Sequence, residues 1–575
     1  MRNKILPGFL LLLVIIIGGY LYLRFGFLKT KDFKPDTSKQ KSIIDLRPSI
    51  IAKLQQVVKD GSNGLYVLSI NELEPHVLES KLDISNASIS IDTSSMHHLD
   101  SLQLLPDDIF TFHFSKLHID GIGIDDLLHN NRIEITGIQV SDPVINVYHK
   151  KRSYNEIKRE ETDSLTLYER IKVQFKKIDI KKIDVANATY TNHDIVKKKI
   201  AKFTAVSILV NDLLIDSSTK HDKSRFLFAK RTIIQTKNYS MPTADSLYFF
   251  KIGSILIAGE QHSITAKDVE LVPRLTRKQF ESKLKSRQDM YHFAFSKVIL
   301  NSIDWLAIIN NEKLGSKHVE ISGGMFRDFL DRSVPLSPSI DMNNFPHQLL
   351  MKVPFKVSVD RLDIKNVNLS YEEHNPLSDQ NGIVSFENIN GQMNHISNIP
   401  AEIKLHPVVD FSATALFMHH APMSAKFTFN LAKIKTGEFT ADIIMDTLDK
   451  VTINKISEPL GMFSVKTGQM QHAVGHIDGN NFNTRGKVAM QYNNLHIKPL
   501  KKDKEEKGKL KKMTVTGFIA NTLFIKNQNP TGNELHQPEY TVQRDHHANF
   551  FNLMWTTILT GILKTIGVPV KFGIK

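Results

Sequence analysis

The chain has 575 residues, 74 basic against 60 acidic for a net charge of +14, 41% hydrophobic residues and no cysteine. That apolar content excludes a disordered chain, and the missing cysteine excludes disulfides, thiolate metal ligation and thiol catalysis. The mild positive charge favours anionic partners such as lipid headgroups; without a basic helix, finger or aromatic RNA-binding signature, nucleic acid is not expected.

The first element is apolar. From Ile5 to Leu23 no residue is charged. As a helix this run reaches about 28 Å, against a hydrocarbon core of ~30 Å. Tyr20 and Tyr22 sit near one end, where aromatic rings anchor at the interface. A cleaved signal peptide would have a shorter apolar region followed by an Ala-x-Ala-like site. Residues 1–28 are therefore expected to be a retained membrane anchor. Residues 29–63 follow as a polar linker with a helix across "RPSIIAKLQQVVKDG". Basic residues flank the run on both sides, so local charge does not set its orientation.

From residue 64 to 545 the pattern is that of β-strands. "KLDISNASISID", "FTFHFSKLHIDGIGI" and "IEITGIQVSDPVINVYHK" alternate apolar and polar residues, then slip parity. A slip every four to six residues is what bulges or short turns produce in a curved sheet. Alternation is cleanest after 353. Phe355, Val357 and Val359 form one set, Leu362 and Ile364 the next, Val367, Leu369 and Tyr371 a third. Asn381-Gly382 and Lys435-Thr436-Gly437 read as hairpin turns, and Lys466-Thr467-Gly468 repeats the latter. Two charged stretches interrupt the pattern, near 150–172 and 498–512. The first reads as a linker or surface helix, the second as a solvated loop or a contact with lipid headgroups. The whole predicts a meander of antiparallel strands with one apolar face that needs covering.

Residues 546–575 carry the last element. Asp545 is placed to cap a helix in which Phe551, Met554, Trp555, Ile558, Leu559 and Ile562 group on one side. Asn552, Thr556, Thr560 and Lys564 form a polar stripe, so the helix is amphipathic rather than spanning. It either plugs the β-body or lies on a membrane or a partner.

Motifs for chemistry are not found: no Walker loop, no Gly-x-Ser-x-Gly elbow, no His-Glu-x-x-His. The adjacent pairs His97-His98, His419-His420 and His546-His547 have the wrong spacing to chelate one metal on a strand or a helix. No catalytic residue, metal or cofactor is expected.

Four stretches carry a resemblance. "LHIDGIGIDDLLHNNRIEITGIQVSDPVINVYH", "LDIKNVNLSYEEH…NGIVSFENINGQMNHISN", "GKVAMQYNNLHIKPL" and the tail "TLFIKNQNP…RDHHANFFNLMWTTILTGILKTIG" resemble bacterial AsmA-like envelope proteins, TamB-like relatives included, in texture and order. The resemblance implies a mainly β fold: a long twisted antiparallel sheet curled into an open apolar groove, with an N-terminal transmembrane helix and a C-terminal amphipathic helix. It also implies an inner-membrane anchor, a body in the periplasm, phospholipids as partners, and a role in outer-membrane lipid homeostasis. The C-terminal helix would face the outer membrane or an envelope protein. Ile133, Ile135, Phe355, Val357, Val359, Phe427 and Phe429 are the expected groove lining. Alternating strands without chemistry make sense if the apolar face is the working surface. The rival expectation is a scaffold that assembles outer-membrane proteins along a strand edge.

Overall fold

In this computed structural model the described residues run from 47 to 568, apart from 123–131, 156–175, 309–312, 337–341, 513–524 and scattered single or paired positions. The expected anchor at 1–28 and most of the charged stretch at 150–172 lie outside them. Among the described residues no helix is long and apolar enough to cross a membrane. The protein is mainly β. Its chain divides into two compact units: residues 1–241, 252–266 and 304–312, and residues 242–251, 267–303 and 313–575.

In the first unit, helix α1 (Arg47–Gly61) precedes the hairpin of β1 (Tyr66–His76) and β2 (Lys81–Ile91). Helix α2 (Thr93–Ser101) starts at Asp92, whose carboxylate accepts from the Ser95 amide at 2.7 Å. β3 (Asp108–Asp120) returns antiparallel to β2. β4 (Arg132–Ser141) and β5 (Val144–His149) both pair with β3 and behave as one strand broken at Asp142-Pro143. Asp142 takes φ 51°, and Pro143 has no N–H to give the ladder. β6 (Lys177–Asp194) then runs parallel to both halves, followed antiparallel by β7 (Lys199–Ile215) and β8 (Ala229–Pro242). The core packs Ile133 and Ile135 of β4 with Ile178 and Ile180 of β6, Phe112 and Phe114 of β3, and Leu54 and Val58 of α1. Burying each of those aliphatic side chains is worth about 1.5–3 kcal/mol.

Strands β9 (Tyr248–Ala258) and β10 (Ser263–Pro273) contribute residues to both units. The second unit adds helix α3 (Arg277–Leu284) and the antiparallel pair β11 (Met290–Ile303) and β12 (Lys313–Asp331). After helix α4 (Pro346–Met351), β13 (Lys356–Asn375) lies parallel to β12. An antiparallel meander follows: β14 (Gln380–Ser397), helix α5 (Pro400–Leu405), β15 (Val408–Phe417), β16 (Ala421–Asn430), β17 (Phe439–Met445), helix α6 (Lys450–Gly461), β18 (Phe463–Gly479) and β19 (Asn483–Lys502). β20 (Leu510–Lys512) and β21 (Glu539–Gln543) both pair with β19, and helix α7 (Phe550–Thr565) closes the described chain.

The expectation of a wholly antiparallel sheet is corrected: the sheet is mixed, with β4/β5–β6 and β12–β13 parallel. A parallel return needs a long crossover, and the chain supplies one at 150–176 and another at 332–355. The charged stretch at 150–172 falls between β5 and β6 in the chain, mostly outside the described residues. That at 498–512 is the β19–β20 hairpin, where Lys502 reaches Asp379 at 3.1 Å.

Two turn expectations and one helix cap change as well. The β13–β14 turn lies at 376–379, and Asn381 and Gly382 sit inside β14 opposite His374 and Glu373. Gly382 is needed because a Cβ there would collide with Leu460 of α6. Lys435-Thr436-Gly437 is a turn, with Gly437 at φ 65°. Its repeat at 466–468 lies within β18, where Gly468 at φ 107° marks a bulge. The cap of α7 is Asn549, whose side chain accepts from the Asn552 amide, rather than Asp545.

Candidate functional site: an apolar face in the second unit

Register carries two apolar rows across the second unit. One runs Leu300–Val319–Leu362–Met393–Phe411–Phe427 from β11 to β16. Beside it run Val298–Ile321–Ile364–Gly391–Ala413–Ala425, continuing to Ile443 of β17. Residues opposite one another share a face, so both rows lie on one side of the sheet. The other side is charged: Lys365 bridges Glu320 at 2.5 Å, and Asp363 takes Arg361 at 2.8 Å and His318 at 2.9 Å. Those bonds, with Arg361 foremost, hold the Asp363 carboxyl below the usual carboxylate range.

The face survives the parity slips because they fall on residues built for them. Asn366 takes φ 51°, and the β13–β14 ladder shifts between Ile364 and Val367. Leu362 and Ile364 before it, and Val367, Leu369 and Tyr371 after it, therefore point the same way. Asparagine tolerates this left-handed conformation better than other non-glycine residues. Asn86, Asn187, Asn238, Asn388 and Asn494 do the same within other strands.

The rows differ in cover. Phe427 lies tilted against Phe550 of α7 with ring centroids 6.1 Å apart, and Phe429 lies among Phe439, Phe550 and the His347 ring. His347 is buried with both ring nitrogens unpartnered, and burial pushes it down to about 4, so it is a neutral packing ring. Toward β11, by contrast, Val298, Leu300, Val319, Ile321, Leu362 and Ile364 are all half-buried. They form a contiguous apolar strip on an open part of the sheet.

The expected lining residues are split by the fold. Ile133 and Ile135 are 0% and 3% exposed, closed over by the first unit's own side chains, so they are core rather than groove lining. Phe355 is 46% exposed but precedes β13, its carbonyl accepting from Asn398. Val357 and Phe427 are half-buried, while Val359 and Phe429 are buried, all four in the second unit. The apolar runs of β11 and β12, "FAFSKVILNSI" and "HVEISGGMF", alternate less cleanly than that of β13. Leu362 and Ile364 were legible as a set.

The tail helix is packed inside the second unit. Met554 and Leu559 are buried and Trp555, Ile558 and Ile562 half-buried, within clusters that include Tyr540, Val488 and Phe439, and half-buried Phe551 stands 6.2 Å from the Phe326 ring. The anticipated polar stripe does not face water as a whole: Thr560 is buried and returns its hydroxyl to the Thr556 carbonyl. These apolar residues serve the fold instead of forming a free membrane-lying face.

A buried polar cluster fixes the start of that helix. The Asn549 amide donates to Asp289 and to Asp328, each at 2.8 Å. Nearby, Glu373 accepts from Tyr371 at 2.6 Å, Arg332 at 3.1 Å and Asn552 at 3.2 Å. Burial pushes both aspartates upward, and the Asp289 charge adds to the rise at Asp328. One Asp328 oxygen has no partner. Nothing in the sequence spacing brings these residues together.

Among the described residues no three His, Asp or Glu side chains are placed to hold a metal ion. Compared with known proteins, the chain matches no family model and no curated protein.

Proposed function

We propose that this chain is an AsmA-like protein of the bacterial cell envelope that holds phospholipid acyl chains on the apolar face of its second unit. Residues 5–23 anchor it in the inner membrane, the body lies in the periplasm, and its work supports lipid homeostasis of the outer membrane. The observation that carries this reading is the half-buried strip of Val298, Leu300, Val319, Ile321, Leu362 and Ile364, an apolar surface with a charged reverse. Each methylene taken from water there is worth about 0.8 kcal/mol. Headgroups stay at the polar margin, and no bond is made or broken.

The test uses the full chain in cells. A photo-crosslinking amino acid at Ile321 or Ile364 is expected to give phospholipid adducts, detected by mass spectrometry. The same group at Lys317, exposed on β12, is expected to give none. Adducts to outer-membrane proteins in place of lipid would replace this reading with that of an assembly scaffold.

A further inference from the structure

One end of the second unit's strands combines protruding apolar side chains with lysines. Four elements meet there. Helix α4 leads through Lys352 into Phe355 and β13, and the Asn398 amide donates to the Phe355 carbonyl at 2.9 Å. Helix α5 follows directly and packs beside the 3-10 turn Leu431–Lys433. The Leu431 amide donates to Pro407 at 2.8 Å. Gln348 of α4 closes the circle, donating to the Ile434 carbonyl at 2.9 Å and to Asn481 at 3.1 Å. The rim is therefore a connected surface.

Four of its side chains face solvent although they are apolar: Leu405 at 74% exposure, Phe482 at 57%, Leu349 at 48% and Phe355 at 46%. Exposed Lys356, Lys404 and Lys435 lie in the same segments. Two acids of the same rim are matched, Glu402 by Lys313 at 2.7 Å and Glu438 by Lys433 at 3.0 Å, and exposed Asp545 follows Arg544, whose amide donates to the Phe482 carbonyl at 2.9 Å. The rim thus carries a net positive charge. At the opposite strand ends exposed Leu377 lies two residues from Asp379, which takes Lys502, and exposed Val451 stands between Asp449 and Thr452 beside Lys450.

We propose that this rim docks on the surface of an anionic bilayer, its leucines and phenylalanines entering the headgroup layer and its lysines meeting lipid phosphates. Charge complementarity selects the partner, because apolar tips ringed by cations match a negatively charged membrane interface. The inference deepens the lipid-holding reading and rests on it: the docked rim borders the row of Val359 and Ile396, next to the apolar strip.

The absence of cysteine makes a clean test. Full-length protein with Leu405→Cys, labelled with an environment-sensitive fluorophore, is reconstituted in phosphatidylcholine nanodiscs. Vesicles of phosphatidylcholine, alone or with phosphatidylglycerol, are then added. Blue-shifted, brighter emission is expected with the anionic vesicles only. It should be lost in high salt and weakened about tenfold or more in apparent affinity by K356E/K404E/K435E. No change at Leu405→Cys, an equal change with neutral vesicles, or the same change at Leu377→Cys would overturn the proposal. Lipid crosslinking at Ile364 is read separately, so docking can fail while acyl-chain holding stands, and the reverse.

Discussion

The two parallel crossings of this protein are built alike and used differently. In the first unit β4 and β5 lead through a long crossover to β6; in the second β12 leads through another to β13. Each receiving strand carries an asparagine in the left-handed region, Asn187 at φ 54° and Asn366 at φ 51°. Each ladder shifts at that asparagine, between Val185 and Ala188 and between Ile364 and Val367. Yet Ile133, Ile135, Ile178 and Ile180 are sealed, while Val319, Ile321, Leu362 and Ile364 stay half-buried. The first unit spends its apolar face on its own core, with α1 contributing Leu54 and Val58. The second leaves part of that face for something else. Alternation identifies an apolar face; it does not identify the cover.

That contrast can be broken most directly with a charge. Ile133→Asp buries a carboxylate without a partner and is expected to cost about 4 kcal/mol or more. Ile364→Asp, on the open strip, is expected to cost about 1 kcal/mol. Hydrogen exchange of the amides in β4–β6 and β12–β14 reads each unit separately, and equal losses would end the distinction.

The shared backbone predicts a shared response. Asn187→Val and Asn366→Val should each lose about 1–2 kcal/mol, because a β-branched residue resists positive φ. Denaturant titration followed by the same exchange measurement tests this. A large effect in only one unit would mean that the likeness is superficial.

A third prediction concerns α7. Asp289 and Asp328 have raised folded-state affinities for protons, so the stability they contribute is full below the ordinary carboxylate range. It is lost as pH rises through the raised values. Asp328→Asn keeps an acceptor for Asn549 and removes one titration. It should flatten this decline and stabilise the docked helix by about 1–2 kcal/mol at about pH 8. Melting followed by Trp555 fluorescence at about pH 5 and 8 checks the sign. A decline in the variant as steep as in the parent would remove the pair from the account.

Lys365→Ala should have the smallest effect. Its bridge to Glu320 lies on the solvated reverse face, where an ion pair contributes little. Unchanged melting with unchanged lipid crosslinking at Ile364 would mark that face as a passive exterior.

Much of this architecture was readable in advance. Alternation in "VPFKVSVDRLDIKNVNLSYEEH" marks β13 and its three same-face sets, because side chains alternate with period two and asparagine resets the count. The tail helix at 550–565 follows from apolar spacing, and the helix at 47–61 from the stretch that ends at Gly61. The Asn381-Gly382 turn was misplaced because Gly382 answers to Leu460 of α6, a contact distant in sequence.

By itself the sequence determined the β class, the parity slips, the absence of thiol chemistry and the tail helix, since these depend on neighbours along the chain. Only the tertiary structure decided which strands run parallel, which apolar rows are closed over, and that Asp289, Asp328 and Asn549 meet. Those outcomes depend on register and packing between segments up to 260 positions apart. Local pattern does not encode such pairings, because an apolar face is compatible with any cover that removes it from water.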